Sequence, residues 1–189
     1  MKFKSNKNGF TLLEVLIALA VTMLVFLLIF SIYHLSQGAY QRTDVKAELT
    51  QNGRVILDRL VRELRQTPDV VTVLPLDDTD PDALPNGILF EDGHNVSEIK
   101  YLKYLLNGTE MQKQVVVYHF ADAPDDYVHH DDTDQYGNPP TDEVLETKVI
   151  GEYVSDIEFW GSGAINIKLY LTKNGQTEIM NTIVYGRNL

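Results

Sequence analysis

The sequence predicts an α+β protein in which one long N-terminal helix packs on an antiparallel β-sheet body. The first observation is an apolar run from Phe10 to Tyr33 in which Glu14 is the single charge. The second is an amphipathic stretch that continues this run to Gln66 without a strong helix breaker. The third is a C-terminal region in which apolar and polar residues alternate between glycine-containing turns. Together these patterns predict a helix followed by strands.

The apolar run predicts a membrane-spanning helix. It has 24 residues, which at a rise of about 1.5 Å per residue reach about 36 Å, enough to cross a bilayer core. A carboxylate in such a segment is unfavourable without a partner, so Glu14 is a functional-site hypothesis. The alternative is an isolated glutamate at the membrane boundary. Lys2, Lys4 and Lys7 precede the run, which predicts a cytoplasmic N-terminus and an outward-facing body.

The stretch after Tyr33 predicts a helix with one buried stripe. Its apolar residues recur at helical spacings of 4, 7 and 4, which places them on one face. This stripe consists of Val45, Leu49, Ile56 and Leu60. The charged residues between them, including Glu63, are expected to form a solvated face. Thr67-Pro68 ends the helix, because the residue before proline is disfavoured in the α region.

The rest of the chain predicts short antiparallel strands. Asn107-Gly108 is a strong hairpin signal between two strand-like segments. Glycine-containing turns divide the last third of the chain into a three-strand meander, and its middle strand alternates apolar and polar residues. The acidic residues 125–143 have no periodicity and predict a long excursion. The predicted strands are 88–90, 98–105, 111–120, 153–160, 164–172 and 177–185.

The chain of 189 residues has no cysteine, so it contains no disulfide, and its formal charge is −11. Without residues 1–9 it keeps 13 basic against 27 acidic residues, a formal −14. Such a body is expected to be repelled by nucleic acid, whose phosphates dominate non-specific affinity. A small basic patch is compatible with this expectation. No nucleophile–base arrangement or phosphate-binding loop stands out, and we expect no enzyme.

The pattern Gly-Phe-Thr-Leu-Leu-Glu-Val-Leu-Ile-Ala-Leu, from Gly9 to Leu19, resembles the processing and assembly signal of type IV prepilins and type II secretion pseudopilins. The resemblance implies that a prepilin peptidase cuts after Gly9 and methylates Phe10. It also implies that Glu14 neutralises the new amino terminus of Phe10 on a neighbouring subunit. The implied fold is pilin-like, with a transmembrane half and an amphipathic half of the helix.

The resemblance implies four segments. Residues 1–9 are the leader peptide, 10–35 the transmembrane or filament-core half of the helix, 36–67 its amphipathic half, and 68–189 a β-rich globular head. The stretch Arg-Leu-Val-Arg-Glu-Leu-Arg-Gln at 59–66 and the closing strand are similar to PilW-type minor pilins and the J-type minor pseudopilin. The absence of cysteine also favours a minor subunit.

The function implied is a structural minor subunit that enters a type IV pilus or a type II secretion pseudopilus through its helix. The implied partners are the prepilin peptidase, other pilin or pseudopilin subunits, the inner-membrane assembly platform and inner-membrane lipid, without nucleic acid. The subunit is expected in the inner membrane with its body outside the cytoplasm, and then in the filament. The alternative is a single-pass, membrane-anchored acidic protein that binds a ligand or a partner.

One acidic segment predicts a calcium site. Asp132, Asp134 and Glu143 stand at positions one, three and twelve of an EF-hand-like spacing, with glycine at position six. Tyr136 and Pro140 replace two expected oxygen ligands. The alternative is an acidic surface loop without metal. The adjacent histidines at 129 and 130 are expected to be solvated, because no further zinc ligands stand at a recognised spacing.

Overall fold

The computed structural model describes residues 11–94 and 98–186. Helix α1 spans Leu12–Leu64, close to the predicted range of residues 10–66. A short 3-10 turn follows at Pro81–Ala83. The chain divides at residues 44 and 45 into two compact units, the first formed by the beginning of α1 and the second by the rest of α1 and the strands. The predicted α+β class, with its pilin-like order of elements, is confirmed.

Eight strands follow the helix in the part of the chain that the structure describes. They are β1 Gly87–Glu91, β2 Tyr101–Asn107, β3 Glu110–Phe120, β4 Ala123–Val128, β5 Thr141–Gly151, β6 Val154–Trp160, β7 Ile165–Lys173 and β8 Gln176–Val184. All the strand pairings are antiparallel. The six strands predicted from the sequence correspond to β1, β2, β3, β6, β7 and β8.

Strand β3 is the centre of a five-stranded sheet, and β2 and β4 pair with successive parts of it. β2 pairs with β3 as far as Val116, whereas β4 pairs with β3 from Tyr118 to Phe120. β5 pairs along β3 from Met111 to His119, with two register shifts. Because β5 overlaps both partners, it must lie on the opposite edge of β3. β1 extends the sheet beyond β2.

Strands β4 and β5 correct the predicted excursion over residues 125–143. β4 contains a proline and two aspartates, and nine successive residues of β5 are exposed. Such composition carries no period-2 signal, so both strands depend on their pairing with β3. β4 pairs with it as the next strand along the chain, whereas β5 pairs with residues 22 to 40 positions earlier. The segment without helix or strand is limited to residues 129–140. Part of the predicted excursion is therefore sheet.

The predicted C-terminal meander is confirmed as a separate sheet in the order β6-β7-β8. Asn174 and Gly175 form the two-residue loop between β7 and β8, with φ angles of 51° and 74°. Positive φ at both positions matches the tight hairpin turn that asparagine–glycine pairs favour. Alternate residues of β7, beginning at Ile165, are buried, and the intervening ones are mostly half-buried.

The core of the second unit joins the last part of α1 to both sheets. Leu49, Ile56 and Leu60 of the predicted stripe are at most 1% exposed, whereas Val45 is half-buried. Gly53 lies against side chains of β7 and β8, and a Cβ there would come within 3.0 Å of Leu171 Cδ1. The helix therefore packs closely on the meander, and the predicted packing of the stripe is confirmed.

Candidate functional site

Glu14 lies in the first turn of α1 and forms a capping box with Thr11. The backbone N–H of Thr11 donates to Glu14 Oε2 over 2.9 Å, and the Thr11 hydroxyl donates to the same oxygen over 3.0 Å. The Glu14 backbone N–H donates in return to Thr11 Oγ1 over 3.3 Å. These bonds satisfy backbone N–H groups that the start of a helix leaves without intrahelical partners. Glu14 therefore helps to define where α1 begins.

Thr11 is a residue that the sequence analysis missed, although its signal was present. The pattern Thr-x-x-Glu from Thr11 to Glu14 is the usual signature of a capping box. Within the described residues, the hydrogen bonds to the Glu14 carboxylate all reach Oε2. Gly9 and Phe10, the predicted processing residues, lie outside the described residues. Cleavage, methylation and the intermolecular role of Glu14 therefore stay predictions.

The part of α1 from residue 12 to residue 33 presents apolar side chains on all sides of the helix. α1 is long and apolar enough to cross a membrane, and every residue from 11 to 44 is exposed. Two hydroxyl groups within residues 12–33 bond back to the helix backbone: Thr22 Oγ1 donates to Ala18 O over 2.7 Å, and Ser31 Oγ donates to Leu27 O over 2.9 Å. Hydroxyl groups satisfied in this way are compatible with a hydrocarbon environment.

Asp134 is engaged in a local turn. Its Oδ1 accepts the backbone N–H groups of Tyr136 and Asn138, and its Oδ2 accepts the Asn138 side-chain amide, each over 2.8 Å. The hydrogen bonds from the Asn138 side chain and backbone lower the pKa of the Asp134 carboxyl. This carboxylate is therefore held as an anion by the loop that contains it.

The other two predicted calcium ligands lie in different surroundings. Asp132 Oδ2 accepts the backbone N–H of His129 over 2.8 Å. Glu143 belongs to β5, where its Oε2 lies 3.5 Å from Nε2 of His119. Among the described residues, no group of three or more His, Asp or Glu side chains is arranged to hold a metal ion. The calcium site stays a prediction, which would require the loop to rearrange.

The adjacent histidines lie beside a buried tyrosine. Nδ1 of His129 and Nδ1 of His130 each lie 3.4 Å from the Tyr101 hydroxyl, and the His130 backbone N–H donates to that hydroxyl over 3.1 Å. The rings of Tyr101 and His130 meet edge-on with centroids 5.7 Å apart. Burial raises the pKa of Tyr101 to about 12, so the phenol stays protonated. The pair closes one end of the five-stranded sheet.

A buried ionic cluster ties the last part of α1 to the same sheet. Glu63, which is 7% exposed, accepts a short hydrogen bond from the Tyr104 hydroxyl and a 2.7 Å bond from Lys113 Nζ. Arg59 Nε lies 3.6 Å from Glu63 Oε1. Burial, followed by the bond to Glu63, raises the pKa of Tyr104, so its hydroxyl remains a donor. The network satisfies a carboxylate that would otherwise be costly to bury.

The expectation that Glu63 belongs to a solvated face was wrong. Its partners Tyr104 and Lys113 are 41 and 50 residues away in sequence, on β2 and β3. Helical periodicity placed Glu63 among charged neighbours, and no local signal indicates which charge faces a sheet. This contact positions the body on α1 and carries no reaction chemistry.

A comparison with protein families finds a match: the family described as the prokaryotic N-terminal methylation motif matches residues 4–30. The searches of curated proteins and of solved structures gave no match. The motif and the long apolar helix that it enters support a type IV pilin- or pseudopilin-like precursor.

The match supports the type IV prepilin and pseudopilin family for this chain. Because the matched segment includes residues 4–9 of the predicted leader, the residues around the predicted cut and most of the apolar run, it suggests processing by a prepilin peptidase and assembly with other pilin subunits. The motif also suggests a structural protein rather than an enzyme. The apolar helix and the motif are consistent with a membrane-anchored, single-pass protein.

Proposed function

We propose that this chain is a minor subunit of a type IV pilus or a type II secretion pseudopilus. A prepilin peptidase cuts it after Gly9 and methylates Phe10, and the subunit then moves from the inner membrane into the filament through α1. The observation that carries this proposal is the methylation motif over residues 4–30, which is continuous with a helix exposed from residue 11 to residue 44. The minor role rests on the resemblance of residues 59–66.

Glu14 supplies the specific contact in this proposal. Among the described residues, Glu14 Oε2 accepts the hydrogen bonds of the capping box in its own helix. Oε1 is then available to accept a hydrogen bond from the charged amino group of Phe10 on a neighbouring subunit. Such a pair is strong only where water is excluded and the remaining acceptors are satisfied. The apolar surface around α1 supplies that environment, first as lipid and then as neighbouring helices. The subunit functions through packing and one charge pair.

The test is mass spectrometry of the native protein, isolated separately from the inner membrane and from sheared filaments. The expected first residue is N-methylated Phe10 in both fractions, with the chain present in filaments in far smaller amount than the main subunit. An intact leader in the membrane fraction, with no chain in the filaments, would contradict the proposal. That result would favour the membrane-anchored acidic binding protein instead.

A further inference from the structure

A groove of about 620 Å³ lies between the last part of α1 and strand β8. Arg54 and Arg62 line it from the helix, Arg65 lines it from the turn that directly follows, and Met180 and Thr182 line it from the strand. Of the described residues that line the groove, Asp58 is the only acidic one, so the lining carries a formal charge of +2. The groove lies entirely within the second unit.

The three arginines form one exposed row along the helix. Arg54 and Arg62 lie eight residues apart on one face of α1, and Arg65, whose backbone N–H still bonds to Val61 O, continues that face. All three are exposed. The ion pairs that the described residues of α1 form involve Lys46, Glu48, Arg59 and Glu63, and none of these three arginines. Their guanidinium groups are therefore available to an external anion.

The positive groove contrasts with the rest of the body. Residues 68–189 contain seven basic and 22 acidic residues, a formal charge of −15. A concave positive surface on a negative protein concentrates the field that attracts an anionic group. It also limits the size of the anion, because a long polyanion would extend from the groove onto the acidic surface and be repelled.

Strand β8 gives the groove a second means of recognition. In the part of the chain that the structure describes, β8 pairs with β7 on one side and has no strand on the other. An edge strand presents unpaired N–H and C=O groups that can pair with an added extended segment. Residues 180–182 of this edge strand line the groove. The arginine row therefore lies beside a sheet edge able to accept a strand.

We propose that this groove binds an extended acidic peptide segment of another protein. Its carboxylates would bind the guanidinium groups of Arg54, Arg62 and Arg65, a pairing that arginine forms with fixed, often bidentate geometry. Its backbone would follow the open edge of β8. The arginine row is about 16 Å long at a rise of 1.5 Å per residue, a length that about five extended residues span.

This inference is independent of cleavage and filament assembly, because the unprocessed chain has the same groove. The test measures the fluorescence anisotropy of a labelled peptide of about eight residues in which threonine and glutamate alternate, since threonine favours the extended conformation. The full-length protein is used in neutral detergent micelles. Two further probes are the same peptide with glutamine in place of glutamate, and a single-stranded oligothymidylate of similar length.

The acidic peptide is expected to bind saturably and to bind more weakly as ionic strength rises. Arg62→Glu and Arg65→Glu should each lower its affinity by about tenfold or more, because each replaces an attraction by a repulsion. Lys148→Glu makes the same change of charge on exposed β5 and is the matched control, with less than about twofold effect expected. Fluorescence of Trp160, the single tryptophan, verifies that each variant is folded.

Three outcomes would overturn the proposal. The first is that the acidic peptide does not bind saturably up to about 1 mM, where the binding free energy is only about −4 kcal/mol. The second is that Lys148→Glu lowers the affinity as much as the arginine variants do. The third is that the glutamine peptide or the oligothymidylate binds more tightly than the acidic peptide. Hydrogen exchange of the backbone amides in residues 177–183 tests the strand contact. The bound acidic peptide should slow their exchange, and unchanged exchange would contradict pairing along β8.

Discussion

The two lengths of helix α1, residues 12–44 and 45–64, differ in what their apolar side chains can pack against. From residue 12 to residue 44, every side chain is exposed, and most of the first 22 of these are apolar. From residue 45 to residue 64, the apolar side chains form a stripe that packs on the two sheets, while most charges face water. Both lengths are regular helix. They differ in whether the apolar surface finds its partner inside or outside the chain.

This difference separates stability from assembly. Substitutions in residues 45–64 should change the free energy of unfolding of the body, because their partners belong to the same chain. Substitutions in residues 12–44 should leave that free energy unchanged and alter processing, membrane residence or incorporation into a filament. The five predictions below test this separation, from the largest expected effect to the smallest.

The largest effect is expected from Gly9→Val, which should abolish removal of the leader. A β-branched residue restricts the backbone and prevents the close approach that a glycine-specific protease cleft requires. The measurement is the mass of the N-terminal peptide from the membrane fraction. Gly38→Val is the control, since it places the same residue within the exposed length of α1 and should leave cleavage complete. Normal maturation of Gly9→Val would contradict processing at this glycine.

The next effect is expected from Glu14→Val, which should leave the protein in the membrane but lower its incorporation into filaments by about tenfold to a hundredfold. That range corresponds to losing a hydrogen bond to a charged group, worth about 1.5–3 kcal/mol. The measurement is the ratio of filament-bound to membrane-bound protein. Wild-type incorporation of this variant would remove Glu14 from the assembly mechanism.

Two further variants separate the charge of Glu14 from its capping role. Glu14→Gln can keep the capping box, because glutamine is also suitable at that position, but it lacks the negative charge. Thr11→Ala removes the two capping bonds of the Thr11 side chain, and keeps the charge of Glu14 and the bond from the backbone N–H of residue 11. Glu14→Gln is expected to fail in assembly as Glu14→Val does, while Thr11→Ala assembles. The reverse pattern would mean that Glu14 is needed only to start the helix.

The third effect is expected from Leu60→Ala, which should destabilise the body by about 2–5 kcal/mol, the usual range for emptying a core site. Leu60 is fully buried in the core of the second unit. The measurement is denaturant unfolding in detergent micelles, followed by Trp160 fluorescence. Leu27→Ala is the matched control, because Leu27 is 59% exposed in the first length of the helix. An equal loss for both variants would remove the distinction between the two lengths.

The fourth effect concerns the buried polar contact. Tyr104→Phe should cost about 1.5–3 kcal/mol, because it removes a hydrogen bond to the buried carboxylate of Glu63. Tyr170→Phe is the control: Tyr170 is half-buried and bonds to Glu158 over 3.2 Å. Loss of this hydrogen bond should lower the free energy of unfolding by about 0.5–1.5 kcal/mol. The same unfolding measurement applies, and a Tyr104→Phe variant as stable as the wild type would show that Lys113 and Arg59 suffice.

The smallest effect comes from replacing a glycine by alanine in each length of the helix, and the two changes in stability are expected to have opposite signs. A Cβ at Gly38 meets nothing within 4 Å, so Gly38→Ala should stabilise the local helix by about 1 kcal/mol. A Cβ at Gly53 would fall on Sδ of Met180 and close to Leu171, so overpacking of about 1–3 kcal/mol should outweigh that gain. Local amide exchange measures the first variant and denaturant unfolding the second. A stabilisation by both substitutions, or a destabilisation by both, would contradict the packing at Gly53.

Much of the fold was predictable because its signals are local. The extent of α1 follows from helical periodicity and from Thr67-Pro68, and the meander follows from alternating residues between glycine-containing turns. The candidate site is also local, since the residues around Glu14 form one short continuous motif that the family comparison matches, while its role stays a prediction. The capping bond of Thr11 was readable from the same segment.

The sequence by itself determined that residues 12–33 of α1 are apolar on all sides and residues 45–64 on one face, because both patterns are complete within a few helical turns. Only the tertiary structure decided that the polar residues of β4 and β5 form strands on β3, that Glu63 is buried, and that three arginines line a groove beside β8. The pairing of β5, the burial of Glu63 and the groove depend on segments distant in sequence, and β4 depends on its pairing with the preceding β3. Their energies come from strand pairing, desolvation and charge proximity, which exist only once the chain has brought those segments together.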